Sequence, residues 1–300
     1  MFNWILLLIL AQIIWSVCSI IDKFLLSKDH IKNPAVFIVF NGLMNILLIF
    51  IVPFIGIKPI GFTDILVAVS GGMCLNAAIL IYYRAIKEEE ASRVIIIAQS
   101  TPLFVLFWAF LFLGETLSLN NAIGFILLLS AGLIVSFRKV HGFLRPSKVF
   151  YLMLLSMIVG SLGAIPARHI YAVTDFWSAF FWLRIGQFTS LAVLLSPPVR
   201  KGFIETLKTM DIGVKGILSF KIIIDFCAFI AMGYVILKTP ALAISSALAS
   251  AIQPIMVFVL TLVASLTFPK VIKEDIDVKS LSAKLFALLL VVAGMVFVTM

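Results

Sequence analysis

Three ionisable side chains fall where water should be scarce. Arg184, Lys221 and Asp225 lie well inside stretches that are otherwise apolar. A charge at that depth of a bilayer costs about 2.5 to 3.5 kcal/mol on insertion scales, so each needs a counter-charge, a water-filled cavity or a task. Lys221 and Asp225 are four residues apart, which puts them on one helix face and within reach of each other. Two chemistries fit. In one, the pair neutralises itself and only holds helices together. In the other, Asp225 exchanges a proton or binds an amine, while Lys221 and Arg184 attract a carboxylate or phosphate. The three charges sum to +1, which would leave one cation for an anion and favours an anionic or zwitterionic ligand.

Uncharged polar residues extend this set. Gln12, Asn41, Asn45, Asn76, Gln99, Gln187 and Gln253 all lie in apolar runs, where an amide either joins neighbouring helices, typically for about 0.6 kcal/mol, or faces a pathway. Asn41 and Asn45 share one helix face, as do Arg184 and Gln187. Trp15, Tyr82 and Tyr234 offer apolar area with a donor tip, suited to a cavity wall. Pro102 and Pro254 each remove a backbone donor in the middle of a run, predicting a kink or hinge whose freed carbonyls lie beside Gln99 and Gln253. The substrate-pathway set is therefore Trp15, Asn41, Asn45, Asn76, Tyr82, Gln99, Arg184, Gln187, Lys221, Asp225, Tyr234 and Gln253.

Other chemistries find little support. His30, His141 and His169 are scattered without ligand spacing, and no phosphate-cradling glycine loop is present. Cys18, Cys74 and Cys227 lie inside apolar runs with no paired spacing and read as packing residues. No enzyme, metal or cofactor is expected. The formal net charge of +9 raises the question of nucleic acid, but its distribution answers it.

The elements that must position these residues are membrane helices. Of 300 residues, 63% are hydrophobic and only 12% charged, about half the charged share of an ordinary soluble domain. Ten runs long enough to span can be cut: Asn3 to Leu26, Pro34 to Ile57, Thr63 to Ile86, Ser92 to Gly114, Leu119 to Phe137, Lys148 to Ile170, Asp175 to Ser196, Ile212 to Leu237, Pro240 to Ser265 and Ala283 to Met300. They are continuously apolar rather than alternating, which predicts an all-α fold rather than a barrel. The first run lacks a basic leader and reads as the first span, not a cleaved signal. Eighteen of the 23 Lys and Arg fall in the connections after the first, third, fifth, seventh and ninth spans, against Lys58, Arg168 and Lys238 on the other face. That bias predicts those connections in the cytoplasm and both termini outside. The basicity is topology, and nucleic acid is not an expected partner.

The two halves are related. An offset of 152 residues pairs Tyr82 with Tyr234, Ala91 with Ala243 and Pro102 with Pro254, and a slightly larger one pairs Ala131-Gly132 with Ala293-Gly294. The extra residues fall in the charged connection around Lys270 to Lys279. This predicts five-helix units over 1–140 and 146–300. An odd helix count forces the second copy into the membrane upside down, an arrangement typical of secondary transporters with a midplane site between the halves.

Pro102, Leu113-Gly114-Glu115-Thr116-Leu117-Ser118, Gly124 and Ala131-Gly132 together resemble the signature of the EamA-like branch of the drug/metabolite transporter superfamily. Trp15-Ser16 followed by Lys23, and Arg184, are similar to that family's usual placements. The sequence departs from it with Ser265-Leu266-Thr267 at the end of the ninth span and with Asn41 where an arginine is common. The resemblance implies a ten-helix fold and transport of a metabolite, without naming one.

The expectation is a plasma-membrane carrier of a small polar metabolite, an amino acid or organic anion, working by alternating access as an exporter, by proton coupling or passive exchange. A flippase for a lipid-linked substrate, a channel, and a structural membrane protein are the alternatives. At the edges, Glu115 reads as a residue tying the turn into the fifth span, and Lys87-Glu88-Glu89-Glu90 as a solvated turn. Asp22-Lys23 lies near the cytoplasmic end of the first span, with Lys23 placed to snorkel or to touch a gate.

Overall fold

The structure is a computed structural model that describes residues 4–27, 30–113, 118–140, 143–239, 242–267 and 278–299. Among these, nine helices are long and apolar enough to cross a membrane, and the shorter apolar helix Leu119–Val135 supplies a tenth span. Large apolar side chains such as Phe107, Phe110, Ile126, Phe220, Val263 and Leu289 point outward. That surface suits lipid, because a water-soluble monomer seldom exposes so much contiguous apolar area. The chain is a multi-pass, all-α integral membrane protein. Glu115 and the connection carrying Lys270 and Lys273 lie outside the described residues.

The spans are built as follows. The first is α1 (Trp4–Ser27). The second starts as α2 (Pro34–Met44), capped by the Asn33 side chain, and tightens into 3-10 turns on either side of the short α3 (Leu48–Ile51). Asn45 starts this break, because its amide donates to the Gly42 carbonyl at 3.1 Å and competes with the helical ladder. The third span is α4 (Phe62–Glu88). The fourth is split into α5 (Ala91–Ala98) and α6 (Thr101–Leu113), and the fifth is α7 (Leu119–Ser136). A hairpin of β1 (Phe137–Val140) and β2 (Phe143–Pro146) leads into the sixth, α8 (Lys148–Leu162) followed by α9 (Ala164–Val173). The seventh is α10 (Phe176–Gln187), capped by Asp175 and continued by a 3-10 stretch to Leu195. The last three are α12 (Ile212–Lys238), α13 (Leu242–Thr267) and α14 (Val278–Thr299), and α11 (Pro197–Thr209) lies between the seventh and eighth spans.

Several details differ from the sequence reading. The connection after the seventh span is a helix, α11, started by two prolines whose missing N–H groups cost nothing there. It packs on α2, with the Phe203 and Phe40 rings 5.0 Å apart. The tenth span begins at Val278, five residues before the apolar run, because Lys279 and Lys284 are accommodated in its first turns. The fourth span breaks at Gln99–Ser100, just before Pro102, so that this proline sits in the first turn of α6. Pro254, by contrast, lies inside an unbroken α13.

Polar links fix which connections share an end. Lys87 donates to the Lys32 carbonyl at 2.6 Å, and Lys148 lies 3.7 Å from Glu88, gathering the connections after the first, third and fifth spans at one basic end. At the far end Lys58 meets Asp175 at 3.6 Å, His169 meets Asp64 at 2.8 Å, and Arg168 donates to the Ile236 carbonyl at 2.7 Å. Neighbours also correspond when the first five spans are exchanged with the last five. The first packs on the eighth as the sixth does on the third, while second and seventh, fourth and ninth, and fifth and tenth pack on each other.

The α4–α10 crossing sets the geometry of the interior. Gly72 and Gly186 face each other so closely that a Cβ on Gly186 would lie 2.5 Å from the Ala68 carbonyl oxygen and 2.9 Å from the Val69 Cα. Only a missing side chain permits this approach, and it holds Arg184 and Gln187 in register with α4. Gly186→Ala is therefore expected to cost about 1 to 3 kcal/mol of stability, read as a lower unfolding midpoint in detergent. Gly216→Ala, where an added methyl meets nothing within 4 Å, should hold that midpoint or raise it by up to about 1 kcal/mol through helix propensity.

Candidate functional site

Lys221 stands at the centre of a buried polar cluster. Its ammonium donates to Asp225 Oδ2 at 2.9 Å, to Asn41 Oδ1 at 2.9 Å and to the Tyr83 hydroxyl oxygen at 3.3 Å. Those three bonds use every N–H an ammonium has. Asp22 Oδ1 nonetheless lies 3.5 Å away, near enough for charge attraction but without a hydrogen-bond partner. Asp225 is held at both oxygens, since the Trp15 indole N–H donates to Oδ1 at 3.0 Å. The Phe37 and Tyr83 rings, stacked at 4.3 Å, wall one side of the ammonium. Two carboxylates thus share one cation, with Asp22 4%, Lys221 2% and Asp225 5% exposed.

Arg184 is arranged differently. Its guanidinium lies 4.1 Å from the centre of the Phe229 ring and 5.1 Å from that of Phe180. Cation–π attraction supports the charge there, but Nε and Nη1 are buried and have no hydrogen-bond partner. No carboxylate pairs with it among the described residues. Gln187 Oε1, one turn along α10, is likewise buried and unpartnered.

Two adjoining cavities join these groups. One of about 350 Å³ is lined by Gln12, Trp15, Gln99, Arg184, Gln187 and Gln253, and it reaches towards the far end at Ala167, Ile236 and Leu242. The other, of about 340 Å³, is lined by Asp22, Asn41, Tyr82, Tyr83, Lys221 and Asp225 on the basic side. Trp15, Thr101, Phe229 and Gln253 line both and form the waist between them. Glycines open the first chamber, because Gly71, Gly72, Gly160, Gly163 and Gly233 put backbone where side chains would fill the space. Volumes of this size suit a small metabolite.

Most residues singled out in the sequence meet here: Trp15, Asn41, Tyr82, Gln99, Arg184, Gln187, Lys221, Asp225 and Gln253 all line a chamber. Three do not. Asn45 is spent on its own helix. Asn76 donates to the Gln187 carbonyl at 2.9 Å and to Thr189, tying α4 to the seventh span. Tyr234 packs edge-on against Phe176 at 5.9 Å. Sequence reasoning overlooked Tyr83 and placed Asp22 with Lys23 near the cytoplasmic end of the first span, outside the pathway set. Asp22 sits seven residues after Trp15, hence on the same face of α1, and that spacing was the available signal.

The basic end is closed by ion pairs and carbonyl contacts. Lys23 donates to the carbonyls of Ile86 at 3.0 Å and Glu89 at 2.7 Å. Glu90 takes Arg93 at 2.9 Å and Lys284 at 2.8 Å, and Arg93 also reaches Ser280 on α14 at 3.1 Å. Of the acidic run only Glu88 is solvated, its side chain 48% exposed. Glu89 is 5% exposed, and Glu90 bridges the fourth and tenth spans. Apolar surroundings at the mouth strengthen such pairs and draw the acids inward.

Removing the shared cation should be costly. Lys221→Met leaves two buried carboxylates facing each other, and breaking a buried ion pair from one side typically costs about 3 to 5 kcal/mol. Unfolding in detergent at neutral pH should show that loss, and adding Asp225→Asn to Lys221→Met should recover part of it.

Comparison with known proteins matches this architecture. No curated protein matches the sequence. A solved structure described only as "Crystal structure of protein" aligns over 99% of this chain and 95% of its own, at 16% identity and a TM-score of 0.60, a likeness of fold. Residues 2–137 match the EamA-like transporter family. The matched stretch, just under half of the chain, includes Trp15-Ser16, Pro102, Gly124 and Ala131-Gly132, and through it the first half of this chain is similar to the EamA-like transporters.

Proposed function

We propose that the chain is a secondary transporter that exports a small polar metabolite, of the amino acid or organic anion class, by alternating access between two inverted five-helix repeats, 1–140 and 146–300. The observation that carries this reading is Arg184. A buried guanidinium with two unpartnered nitrogens, set on an aromatic ring in the wall of a 350 Å³ chamber, is a costly thing to keep in a membrane protein unless an anion visits it. Gln187 Oε1 beside it is an acceptor for a donor group on the same ligand, such as an amine. A carboxylate ligand with an adjacent N–H or O–H satisfies both. The corresponding contacts of the two halves support the repeat.

The basic end faces the cytoplasm of the plasma membrane in this reading, and both termini lie outside. The Lys23 and Glu90 contacts then close the cytoplasmic mouth, while the Arg184 chamber reaches toward the outer ends of its helices. Alternating access requires the reverse state, in which those contacts part and the outer ends meet.

Screening purified protein by thermal shift against amino acids, organic acids, sugars, nucleotides and quaternary amines tests the ligand class. A ligand at one hundred times its Kd raises native stability by about 2.7 kcal/mol. The expected hit is a carboxylate-bearing compound whose shift disappears in Arg184→Gln, with saturable flux in proteoliposomes lost in the same variant. Stabilisation by neutral sugars alone, or a carboxylate shift that survives Arg184→Gln, overturns the reading.

Orientation has its own check. In a cysteine-free background, Lys58→Cys should react with a membrane-impermeant maleimide on intact cells, whereas Lys201→Cys should react only after permeabilisation. The opposite pattern reverses the direction assigned to the closed mouth.

A further inference from the structure

Counting Asp22 changes the charge balance of the interior. Between the two end networks the described charged side chains are Asp22, Arg184, Lys221 and Asp225, each less than one-tenth exposed. With both carboxylates ionised they sum to zero. An anion held by Arg184 would bring the total to −1, and an uncompensated charge in a low-dielectric interior is expensive. Binding one proton restores neutrality. The empty, unprotonated interior and the interior holding one monovalent anion plus one proton are thus the two balanced states.

Geometry indicates which group takes the proton. Asp225 has both carboxylate oxygens occupied, Lys221 donating to Oδ2 and Trp15 to Oδ1. Asp22 Oδ1 accepts none, since Lys221 has spent its three N–H bonds elsewhere. The titratable or charged groups around Asp22 are Lys221 and Asp225 from α12, Tyr82 and Tyr83 from α4, and Cys18 from its own helix. Arg93 of α5 is turned to Glu90, and α13 carries no ionisable residue.

The two sites are in contact through the waist. Arg184 lies over the Phe229 ring, Trp15 meets that ring edge-on at 5.5 Å, and the Trp15 indole is bonded to Asp225. Phe229 is one helical turn from Asp225, itself one turn from Lys221.

We propose that Asp22 is a proton-binding site whose occupancy is tied to that of the anion site at Arg184, so that one proton enters the interior with each monovalent anion. This rests on the reading of Arg184 as an anion site. The step is a protonation only: a carboxylate and a proton from water give a carboxylic acid at whichever end is open, and no bond in the ligand changes.

Arg184→Gln removes one positive charge, as anion binding would neutralise it, so the test needs no substrate. The carbonyl stretch of a protonated carboxylic acid is followed by infrared spectroscopy of the purified full chain across pH. Arg184→Gln should raise the protonation midpoint of that band, because removing a positive charge from the interior disfavours the ionised carboxylate. Arg184→Met should do the same, and Arg184→Lys should leave the midpoint in place. The band should vanish in Arg184→Gln/Asp22→Asn and move in frequency in Arg184→Gln/Asp22→Glu, a variant that keeps the carboxyl if the asparagine fails to fold. An unmoved midpoint in the neutral variants overturns the proposal, as does a band that survives Asp22→Asn or keeps its frequency in Asp22→Glu. The failures separate: a carboxylate-induced thermal shift lost in Arg184→Gln beside an unmoved midpoint retains the anion site alone, while a moved midpoint without any carboxylate binding retains the proton site alone.

Discussion

The interior is organised by one ammonium shared between two carboxylates. Lys221 is 2% exposed and reaches Asp225, Asn41 and Tyr83 while standing beside Asp22. Three helices, α2, α4 and α12, must supply donors and acceptors at one point, and α1 must bring Asp22 and Trp15 alongside. Taking such charges out of water costs several kcal/mol per ion, so the arrangement constrains helix rotation more than it adds stability. A turn of α12 by one residue would swing Lys221 by about 100° and leave both acids without a cation. The chambers inherit their position from this constraint, because the same faces of α1 and α12 carry the Trp15–Phe229 contact that separates them.

Close helix approach supplies the space. Where α4 meets α10, glycine faces glycine and the backbones touch, and where α12 meets Tyr171, Gly233 leaves room for the phenol. Without a hydrophobic force between helices in lipid, such packing and interhelical hydrogen bonds must hold the bundle. Asn76 to the Gln187 carbonyl and Ser156 to the Ala78 carbonyl are bonds of this type. The same small residues that permit contact at one level leave a void at the next, and glycines and alanines accordingly share the lining of the Arg184 chamber with Trp15, Tyr171 and Phe229.

Much of this was readable from residue order. Span count, helix class, the basic-end bias and the Lys221–Asp225 pair follow from hydropathy and from a spacing of four, which depend only on local sequence. Helix rotation does not. Asn41 and Asn45 share a face by spacing, yet one bonds Lys221 while the other turns to its own Gly42 carbonyl, because the helix tightens between them. Asp22 stayed outside the pathway set for a related reason. It lies five residues from the end of α1, where a charged residue ordinarily reaches water, and only the packing of α12 across it makes the site dry. The acidic run misled in the same way at Glu90, whose charged neighbours suggest solvent while its partners Arg93 and Lys284 come from residues near in space.

The breaks in the helices also bear on how such a bundle moves. A proline in mid-span suggests a hinge, but Pro102 sits in the first turn of α6, where its ring is tolerated, and the discontinuity falls at Gln99–Ser100. Gln99 donates to the Ile95 carbonyl at 2.6 Å and lines the Arg184 chamber, so the break is capped by a residue that faces the cavity. Pro254 leaves α13 continuous, and there the neighbouring Gln253 carbonyl accepts from the Ser16 hydroxyl at 3.4 Å. The fourth and ninth spans, which pack on each other, therefore carry unequal joints: the fourth is divided, the ninth is whole and tied to α1. Motion that closes one mouth and opens the other is easier about the divided span, because two short helices joined at a turn change angle without breaking a ladder of hydrogen bonds. The closing contacts of the basic end, Lys23 to Glu89 and Arg93 to Glu90, lie on or against the shorter of those two pieces.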